Sequence, residues 1–362
     1  MPKSCYVHVP FCDSICYYCD FCRYIYDENR LNQWAIMIKQ EIQEIEFEKL
    51  DTLYFGGGTP SILNQDIFSM LANQFKPYIS TNIEWTIEAN PDSLTKEKLQ
   101  FYKELGVNRI SLGVQTFQES LLEKIGRRHT VHQIEDCIRW IMLMGFELSI
   151  DLMYGLPNQT LENLQNDLKK FVSLEIPHLS IYSLQIEKQS VFGRQNLLPC
   201  DEDLEADMYE MIESFLEDYG YIHYETSSYC LPGHHSRHNL AYWQDKDFYG
   251  IGCGASGKIN HVRYDNTKNI VTYCKSGPNP SWIQTSLEDK AFESIMMGLR
   301  TIFGFSYHQW NLTYGFDFLK KYKNVLDKWV PTYLNIENDR IFPTKIGMEI
   351  LNTILVDFLE ID

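Results

Sequence analysis

The sequence lacks a long apolar run, since no stretch reaches the ~18 residues of a membrane-spanning helix. It also lacks basic excess: 32 Lys and Arg stand against 49 Asp and Glu, and the net charge is −17. Binding to a nucleic acid requires a cationic surface, so we expect this protein to have no nucleic-acid partner. The cysteine motif follows Met1–Ser4 almost at once, which leaves no room for a secretory signal peptide. We therefore expect a cytoplasmic protein.

Cysteine, by contrast, is abundant, with ten residues, and structural disulfides are rare in a reducing compartment. Cys12, Cys16, Cys19 and Cys22 form a dense group. In Cys12-x3-Cys16-x2-Cys19, three thiolates can ligate three irons of a cubane cluster and leave the fourth iron open to a small molecule. A zinc site with Cys22 as fourth ligand is the alternative, although a second, distant cysteine pair is missing. A thioredoxin-type pair also stays open, but the spacing and its aromatic neighbours favour the cluster.

The first two-thirds of the chain alternate apolar, strand-like runs with amphipathic helical patterns. The predicted strands are Cys5–Val9, Thr52–Phe55, Glu84–Glu88, Arg109–Leu112, Leu148–Leu152 and His178–Leu184. The predicted helices are Arg30–Ile45, Gln65–Phe75, Thr95–Leu105, Val131–Leu143, Leu161–Phe171 and Leu204–Tyr219, with Thr95 and Thr160 as N-caps. Six such units predict an α/β fold, an open (βα)6 partial TIM barrel, with a doubly wound sheet as the alternative. Either fold puts the reactive site at the carboxyl ends of the strands.

The pattern changes after about residue 220. We predict a core domain at 1–220, a connecting region at 221–284 and a smaller, mostly helical, winged-helix-like domain at 285–362. The connecting region is rich in Gly, His, Tyr and Trp and has no clear period. Within the last part, Asp339–Pro343 is a short predicted strand.

Around the cysteines the chain resembles the radical S-adenosylmethionine (SAM) superfamily, and in particular its coproporphyrinogen-dehydrogenase-like branch. The segment Tyr6-Val-His-Val-Pro-Phe-Cys12 carries this resemblance together with Cys16-Tyr-Tyr-Cys19-Asp-Phe. Its further landmarks are Gly56-Gly-Gly-Thr-Pro-Ser61, Glu88-Ala-Asn-Pro91, Gly113-Val-Gln-Thr-Phe117, Gly126-Arg-Arg-His129, Asp151-Leu-Met-Tyr-Gly-Leu-Pro157 and His238-Asn-Leu-Ala-Tyr-Trp243. The resemblance covers nearly the whole chain.

The resemblance implies a [4Fe–4S] cluster on Cys12, Cys16 and Cys19, with SAM chelating the open iron. Tyr6 and Tyr18 would flank the cofactor. Gly56, Gly57, Gly58 and Thr59 would line its methionine part, and Glu88, Gln115, Arg127 and Asp151 would contact the rest. It also implies one-electron cleavage of SAM to methionine and a 5′-deoxyadenosyl radical. We assign no catalytic side chain beyond this site.

The branch contains oxygen-independent coproporphyrinogen III oxidases and the HemW family of haem chaperones. The cluster motif begins at residue 12, without the longer N-terminal extension of the oxidases. Phe21 stands where oxidases carry a further cysteine. His238-Asn-Leu-Ala-Tyr-Trp243 matches the HNxxYW motif of the chaperones, and the chain is shorter than typical oxidases. We therefore predict a haem chaperone, with the oxidase and a non-catalytic zinc or structural protein as alternatives.

For haem as cargo, we predict contacts with His238, Asn239, Tyr242 and Trp243, since imidazole ligates iron and flat aromatic rings suit a porphyrin. Other expected partners are an electron donor such as flavodoxin or ferredoxin and a haem-acceptor protein. Peripheral membrane association and a homodimer stay open. Two departures from the family are Cys22 and Gly252-Cys-Gly-Ala-Ser256, which lacks an expected histidine.

Overall fold

The computed structural model describes residues 1–359, and its first part alternates strands with helices. The strands are β1 Ser4–Val9, β2 Phe11–Cys12, β3 Tyr24–Ile25, β4 Leu50–Gly57, β5 Ile79–Ala89, β6 Arg109–Gln115, β7 Glu147–Tyr154 and β8 His178–Ser183. The helices are α1 Glu28–Gln43, α2 Gln65–Phe75, α3 Lys96–Leu105, α4 Glu119–Lys124, α5 Val131–Leu143, α6 Leu161–Ser173, α7 Val191–Arg194 and α8 Glu202–Asp218.

The rest of the described chain has shorter elements. The strands are β9 Ile222–Glu225, β10 Ser228–Cys230, β11 Tyr249–Ile251, β12 Ser256–Ile259, β13 Val262–Asp265, β14 Ser281–Ile283, β15 Phe305–Ser306, β16 Leu334–Glu337 and β17 Arg340–Pro343. The helices are α9 Arg237–Trp243, α10 Ile270–Ser276, α11 Leu287–Leu299, α12 Tyr307–Tyr314, α13 Phe318–Lys321, α14 Lys323–Trp329, α15 Lys345–Glu349 and α16 Leu351–Leu359.

All six predicted strands are present, and they form one parallel sheet in the order β1-β4-β5-β6-β7-β8. A doubly wound sheet reverses direction at a switch point. This order never reverses, so the right-handed crossovers place the connecting helices on one face. The sheet stays open, because its two edge strands, β11 and β9, do not pair with each other. The open α/β prediction is confirmed, and the doubly wound alternative is wrong.

Three short strands extend the sheet beyond the prediction. Strand β11 pairs parallel with β1, while β10 pairs antiparallel with β8 and β9 with β10. All three strands lie in the predicted connecting region, 221–284, so this region contributes to the main sheet. The predicted three-part division of the chain and the winged-helix comparison stay predictions.

The two faces of the parallel sheet differ in chemistry. On β6, Ile110 and Leu112 are fully buried in the main hydrophobic core, whereas Arg109, Ser111 and Gln115 line a cavity on the other face. Parallel strands covered on both faces normally read as continuous apolar runs. Here the alternation of apolar and polar residues marks the face that borders the cavity.

Residues 291–358 bury a second hydrophobic cluster around Trp310, Phe318 and Ile354. Helices surround it, together with the antiparallel sheet β15-β17-β16, as the predicted mostly helical C-terminal part requires. Among residues 1–359, no helix is long and apolar enough to cross a membrane.

Candidate functional site

The predicted cluster ligands lie on the segment that follows β1, where Cys12 ends β2 and Cys16 and Cys19 lie in the loop after it. The carbonyl of Val9 accepts from the Gly58 amide at 2.8 Å, and that of Phe11 accepts from the Thr59 amide at 2.8 Å, so the loop is clamped onto the end of β4. Cys12 is buried, and Cys16 and Cys19 are half-buried. All three line one cavity of about 420 Å³ on the polar face of the sheet. The fold thus brings the three thiols to one wall of one cavity.

Burial sets the protonation of these thiols. It raises the pKa of Cys12 to about 11, against the opposing hydrogen bond with Thr59. Burial also raises the pKa of Cys19, although the Arg23 guanidinium opposes this shift. Because iron binds the thiolate, cluster binding would release these protons.

Cys22 lies apart from the three. It is not among the residues that line the cavity; its thiol donates to the Lys268 carbonyl at 3.4 Å. A hydrogen bond with Cys253 lowers the pKa of Cys22. The two departures from the family, Cys22 and the Gly252–Ser256 segment that contains Cys253, therefore contact each other. Across residues 1–359, no three His, Cys, Asp or Glu side chains are arranged to hold a single metal ion. Two features fit a cluster: the thiols of Cys12, Cys16 and Cys19 share one cavity wall, and thiolates are the soft ligands that iron–sulfur clusters prefer.

The glycine run ends β4 under tight packing. An added Cβ would lie 2.4 Å from the His8 ring at Gly57 and 2.7 Å from the Phe11 carbonyl at Gly58. Gly57 also has φ +108°, a conformation that favours glycine. Its amide donates to Glu88 Oε2 at 3.0 Å. Gly57 and Gly58 therefore bring backbone to the cavity wall, where a ligand can approach closely.

Two predicted SAM contacts lie beneath the cavity rather than on its lining. Gly56 sits where a Cβ would meet Glu88 Oε1 at 2.8 Å and the Tyr6 ring at 2.9 Å. The Tyr6 ring stacks on Tyr54 with centroids 6.0 Å apart. Neither Gly56 nor Tyr6 lines the cavity, whereas Tyr18 does.

Two half-buried acids, Glu88 and Asp151, line the cavity. Tyr54 donates to Glu88 Oε1 at 2.9 Å, yet burial raises the pKa of Glu88 above its ordinary value. Burial raises the pKa of Asp151 to about 7, and the Glu88 charge adds to this shift. Ser111 donates to Asp151 at 3.3 Å. A ligand that donates hydrogen bonds or carries positive charge would stabilise the ionised form of both carboxyl groups.

Side-chain hydrogen bonds join Arg127, Asn90 and Thr59 along the cavity, and we call this series the polar relay. Arg127 Nη1 donates to Asn90 Oδ1 at 3.0 Å, and Asn90 Nδ2 donates to Thr59 Oγ1 at 3.2 Å. Gln115 lies at a register shift in β6 and has φ +63°. Its Oε1 and the Arg127 Nε are buried without partners. Buried polar atoms are normally paired, so these orphans mark where a polar ligand belongs.

The predicted haem residues lie on α9. His238 is 1% exposed; its Nδ1 lies 2.8 Å from Thr52 Oγ1 and its Nε2 2.7 Å from Tyr242 Oη. Both ring nitrogens are thus engaged, and iron ligation by His238 requires one of these bonds to break. Asn239 lines the thiol cavity and, with Tyr242 and Trp243, a neighbouring cavity of about 430 Å³.

Sequence reasoning missed several lining residues. Asn90 lies in the Glu88-Ala-Asn-Pro91 motif and lines the cavity, although the resemblance implies no role for it. The others lie on the polar face of the sheet: Thr86, Arg109, Ser111, Ser149, His178, Ser180 and Tyr182. Their signal was available, since each alternates with apolar residues along its strand.

The comparisons with known proteins agree with this geometry. Residues 6–171 match the Radical SAM superfamily. The chain is 39% identical to the protein named Heme chaperone HemW of Lactococcus lactis subsp. lactis, over 99% of this chain and 97% of that protein. It is 37% identical to the Heme chaperone HemW of Bacillus subtilis, over 92% of this chain and 90% of that protein.

Among solved structures, the chain resembles coproporphyrinogen III oxidase (HemN) from Escherichia coli, described as a radical SAM enzyme. The TM-score is 0.86 at 22% identity, over 99% of this chain and 90% of that one. At this identity the similarity supports the fold alone.

Proposed function

The chain belongs to the HemW family within the radical SAM superfamily, and from that premise we propose that it binds a [4Fe–4S] cluster and SAM and carries haem to an acceptor protein. The observation that carries the cofactor part is the composition of the 420 Å³ cavity. Three thiols lie on the wall of a cavity that also holds two buried polar atoms without partners and two half-buried acids, Glu88 and Asp151.

Within this proposal, each group has a physical task. Cys12, Cys16 and Cys19 would ligate three irons and leave one iron open. The Gly57 and Gly58 backbone admits the ligand closely, and Arg127 offers a cationic fork to its carboxylate. Glu88 and Asp151 accept hydrogen bonds from ammonium or ribose groups. Cluster and SAM, when bound, would supply one-electron cleavage of the sulfonium, while the protein supplies position and a dry site.

The haem part of the proposal is supported by the relatives. Both reported relatives carry the name Heme chaperone and match the chain almost end to end. The zinc alternative needed Cys22 as a fourth ligand, and Cys22 does not line the cavity. The electron donor, the haem acceptor and the assembly state remain further parts of the proposal.

A paired assay tests the proposal against the oxidase alternative. Anaerobically reconstituted protein is incubated with SAM and reductant, once with coproporphyrinogen and once with haem followed by an apo-acceptor. We expect haem binding and transfer and no decarboxylated porphyrin. Decarboxylated product without haem transfer would establish the oxidase instead.

A further inference from the structure

Two cysteines that do not line the thiol cavity meet at the edge of the main sheet. Cys22 lies three residues after the predicted ligand Cys19, and Cys253 lies in the turn between β11 and β12. Cys253 Sγ is 3.3 Å from the Thr267 carbonyl oxygen, and Cys22 Sγ is 3.4 Å from the carbonyl oxygen of the next residue, Lys268. The two side chains also share a hydrogen bond. Neighbouring carbonyl groups thus hold the two sulfurs side by side.

The backbone of the β11–β12 turn packs closely against Cys22. Gly254 has φ +83°, and a Cβ added there would lie 2.5 Å from both the Cβ and the Sγ of Cys22. The Gly254 amide donates to the Thr267 carbonyl at 2.9 Å, which fixes this part of the turn. A side chain at position 254 would therefore displace the Cys22 thiol. The two chain segments approach closely enough for their side chains to touch without any rearrangement of the fold.

The two thiols differ in their access to solvent. Cys253 is 0% exposed, whereas Cys22 is half-buried, so an external reagent reaches Cys22 first. The hydrogen bond between them acts in the same sense, since it lowers the pKa of Cys22 and raises that of Cys253. Within residues 1–359, no third His, Cys, Asp or Glu joins them in an arrangement that could hold a metal ion. Thiol oxidation is the chemistry that such a pair suits.

We propose that Cys22 and Cys253 are a redox-active pair that a small disulfide of the glutathione type oxidises to an intramolecular disulfide. The Cys22 sulfur attacks one sulfur of the oxidant, whose S–S bond breaks and releases one small thiol. The Cys253 sulfur then attacks Cys22 Sγ in this mixed disulfide and releases the second small thiol. The protein gives up two electrons and two protons, and the oxidant takes up both.

The disulfide would restrain the segment that carries the predicted cluster ligands. The Cys22 carbonyl accepts from His8 Nε2 on β1 at 2.7 Å, and Arg23 donates to the Cys19 carbonyl. This end of the segment is therefore already attached to the sheet by hydrogen bonds. A covalent link from Cys22 to the β11–β12 turn would fasten it to the sheet edge. The pair itself does not depend on the proposed haem function, whereas its effect on iron rests on the proposed cluster.

The test is oxidation of the reconstituted full-length protein in anaerobic buffers of oxidised and reduced glutathione, followed by alkylation of free thiols and peptide mapping by mass spectrometry. We expect one crosslinked peptide, which joins Cys22 to Cys253 and disappears with excess reduced glutathione. Cys253→Ser should instead accumulate a glutathione adduct on Cys22. Cys22→Ser should leave Cys253 unmodified, because Cys253 is buried. Cys274→Ser, at a half-buried cysteine near Cys253, is the matched control and should form the crosslink as the wild type does.

The outcomes separate the pair from its effect on the cluster. Wild type in which Cys22 and Cys253 both stay free for alkylation at the most oxidising ratio would overturn the pair, and so would a crosslink of Cys253 to Cys274. Neither result bears on the haem or SAM proposals, and the wild-type map requires no variant to fold.

A second readout is the rate at which a chelator removes iron. We expect the oxidised wild type to lose iron severalfold more slowly than the reduced wild type, because local opening of the segment is suppressed. Cys22→Ser should lose iron equally fast in both buffers. Crosslinked protein that loses iron at the rate of the reduced protein would overturn the restraint of the segment. Thermal unfolding of each variant checks that the chain still folds.

Discussion

Arg127 donates to Asn90 through Nη1 at 3.0 Å, and this contact joins the loop after α4 to the end of β5. Asn90 in turn donates to Thr59 beside the glycine run. Three loops at the carboxyl edge of the sheet are therefore held in register by side chains. The Arg127 Nε keeps no partner, so the relay is complete only with a further acceptor in the cavity.

Arg127→Lys tests that relay. Lysine keeps the charge but loses the planar fork that can bond Asn90 and a carboxylate together. A charge-assisted hydrogen bond contributes about 1.5–3 kcal/mol, so we expect SAM affinity to fall about tenfold to a hundredfold. Equilibrium dialysis with labelled SAM measures it. The exposed neighbour Arg128, changed to Ala, should leave affinity unchanged, and equal losses in both variants would contradict a specific role.

Gly57→Ala tests the close backbone approach. Its φ of +108° strains any Cβ, and the added atom would also lie 2.4 Å from the His8 ring. Gly220→Ala is a matched control, since Gly220 has φ +81° and nothing within 4 Å of an added Cβ. Both should lose about 1–2 kcal/mol of unfolding free energy from backbone strain. We expect Gly57→Ala alone to lose more unfolding free energy than this and to lose SAM binding. Equal behaviour of the two variants would refute a close approach of SAM to the Gly57 backbone.

The pH dependence of stability should report Asp151. Its pKa in the folded protein is raised to about 7, because of burial and the nearby Glu88 charge. As the pH rises, the Asp151 carboxyl ionises at lower pH in the unfolded chain than in the folded protein. The stability that this group contributes is therefore full at low pH and is lost as the pH rises toward and through 7. Asp151→Asn should therefore flatten the fall in urea-unfolding free energy between about pH 4 and 8. The exposed Asp66→Asn should not; an unchanged slope in Asp151→Asn would rule out the shifted titration.

Cysteine replacements separate the cluster thiols from the others. Cys12→Ser, Cys16→Ser and Cys19→Ser should each lose the brown chromophore and the bound iron after anaerobic reconstitution, because each ligates one iron. Cys200, half-exposed and outside the cavity, is the control for thiol loss. Cys22→Ser should keep the chromophore, and its loss there would reinstate a four-ligand site.

The sequence predicts the main sheet well because strand and helix signals repeat in phase. Thr95 and Thr160 cap their helices as predicted, accepting from Lys98 and Asn163 amides at 3.2 Å. Strands β9, β10 and β11 were missed, since three or four residues carry too little periodicity to register.

The site was predictable where motifs mark it and not where partners are distant. Thr52 and His238 are far apart along the chain, so nothing local shows that His238 is engaged. Cys22 and Cys253 likewise meet only because the segment after Cys19 packs beside the β11–β12 turn. A single histidine or cysteine looks the same in sequence whether its side chain is paired or free.

The most direct measurement of the central claim is the electron paramagnetic resonance (EPR) spectrum of the reduced, reconstituted protein before and after SAM is added. If the three thiols leave one iron open for SAM, the cluster signal should change on SAM addition, and the change should be weakened in Arg127→Lys. A reduced cluster whose spectrum is identical with and without saturating SAM would contradict the account.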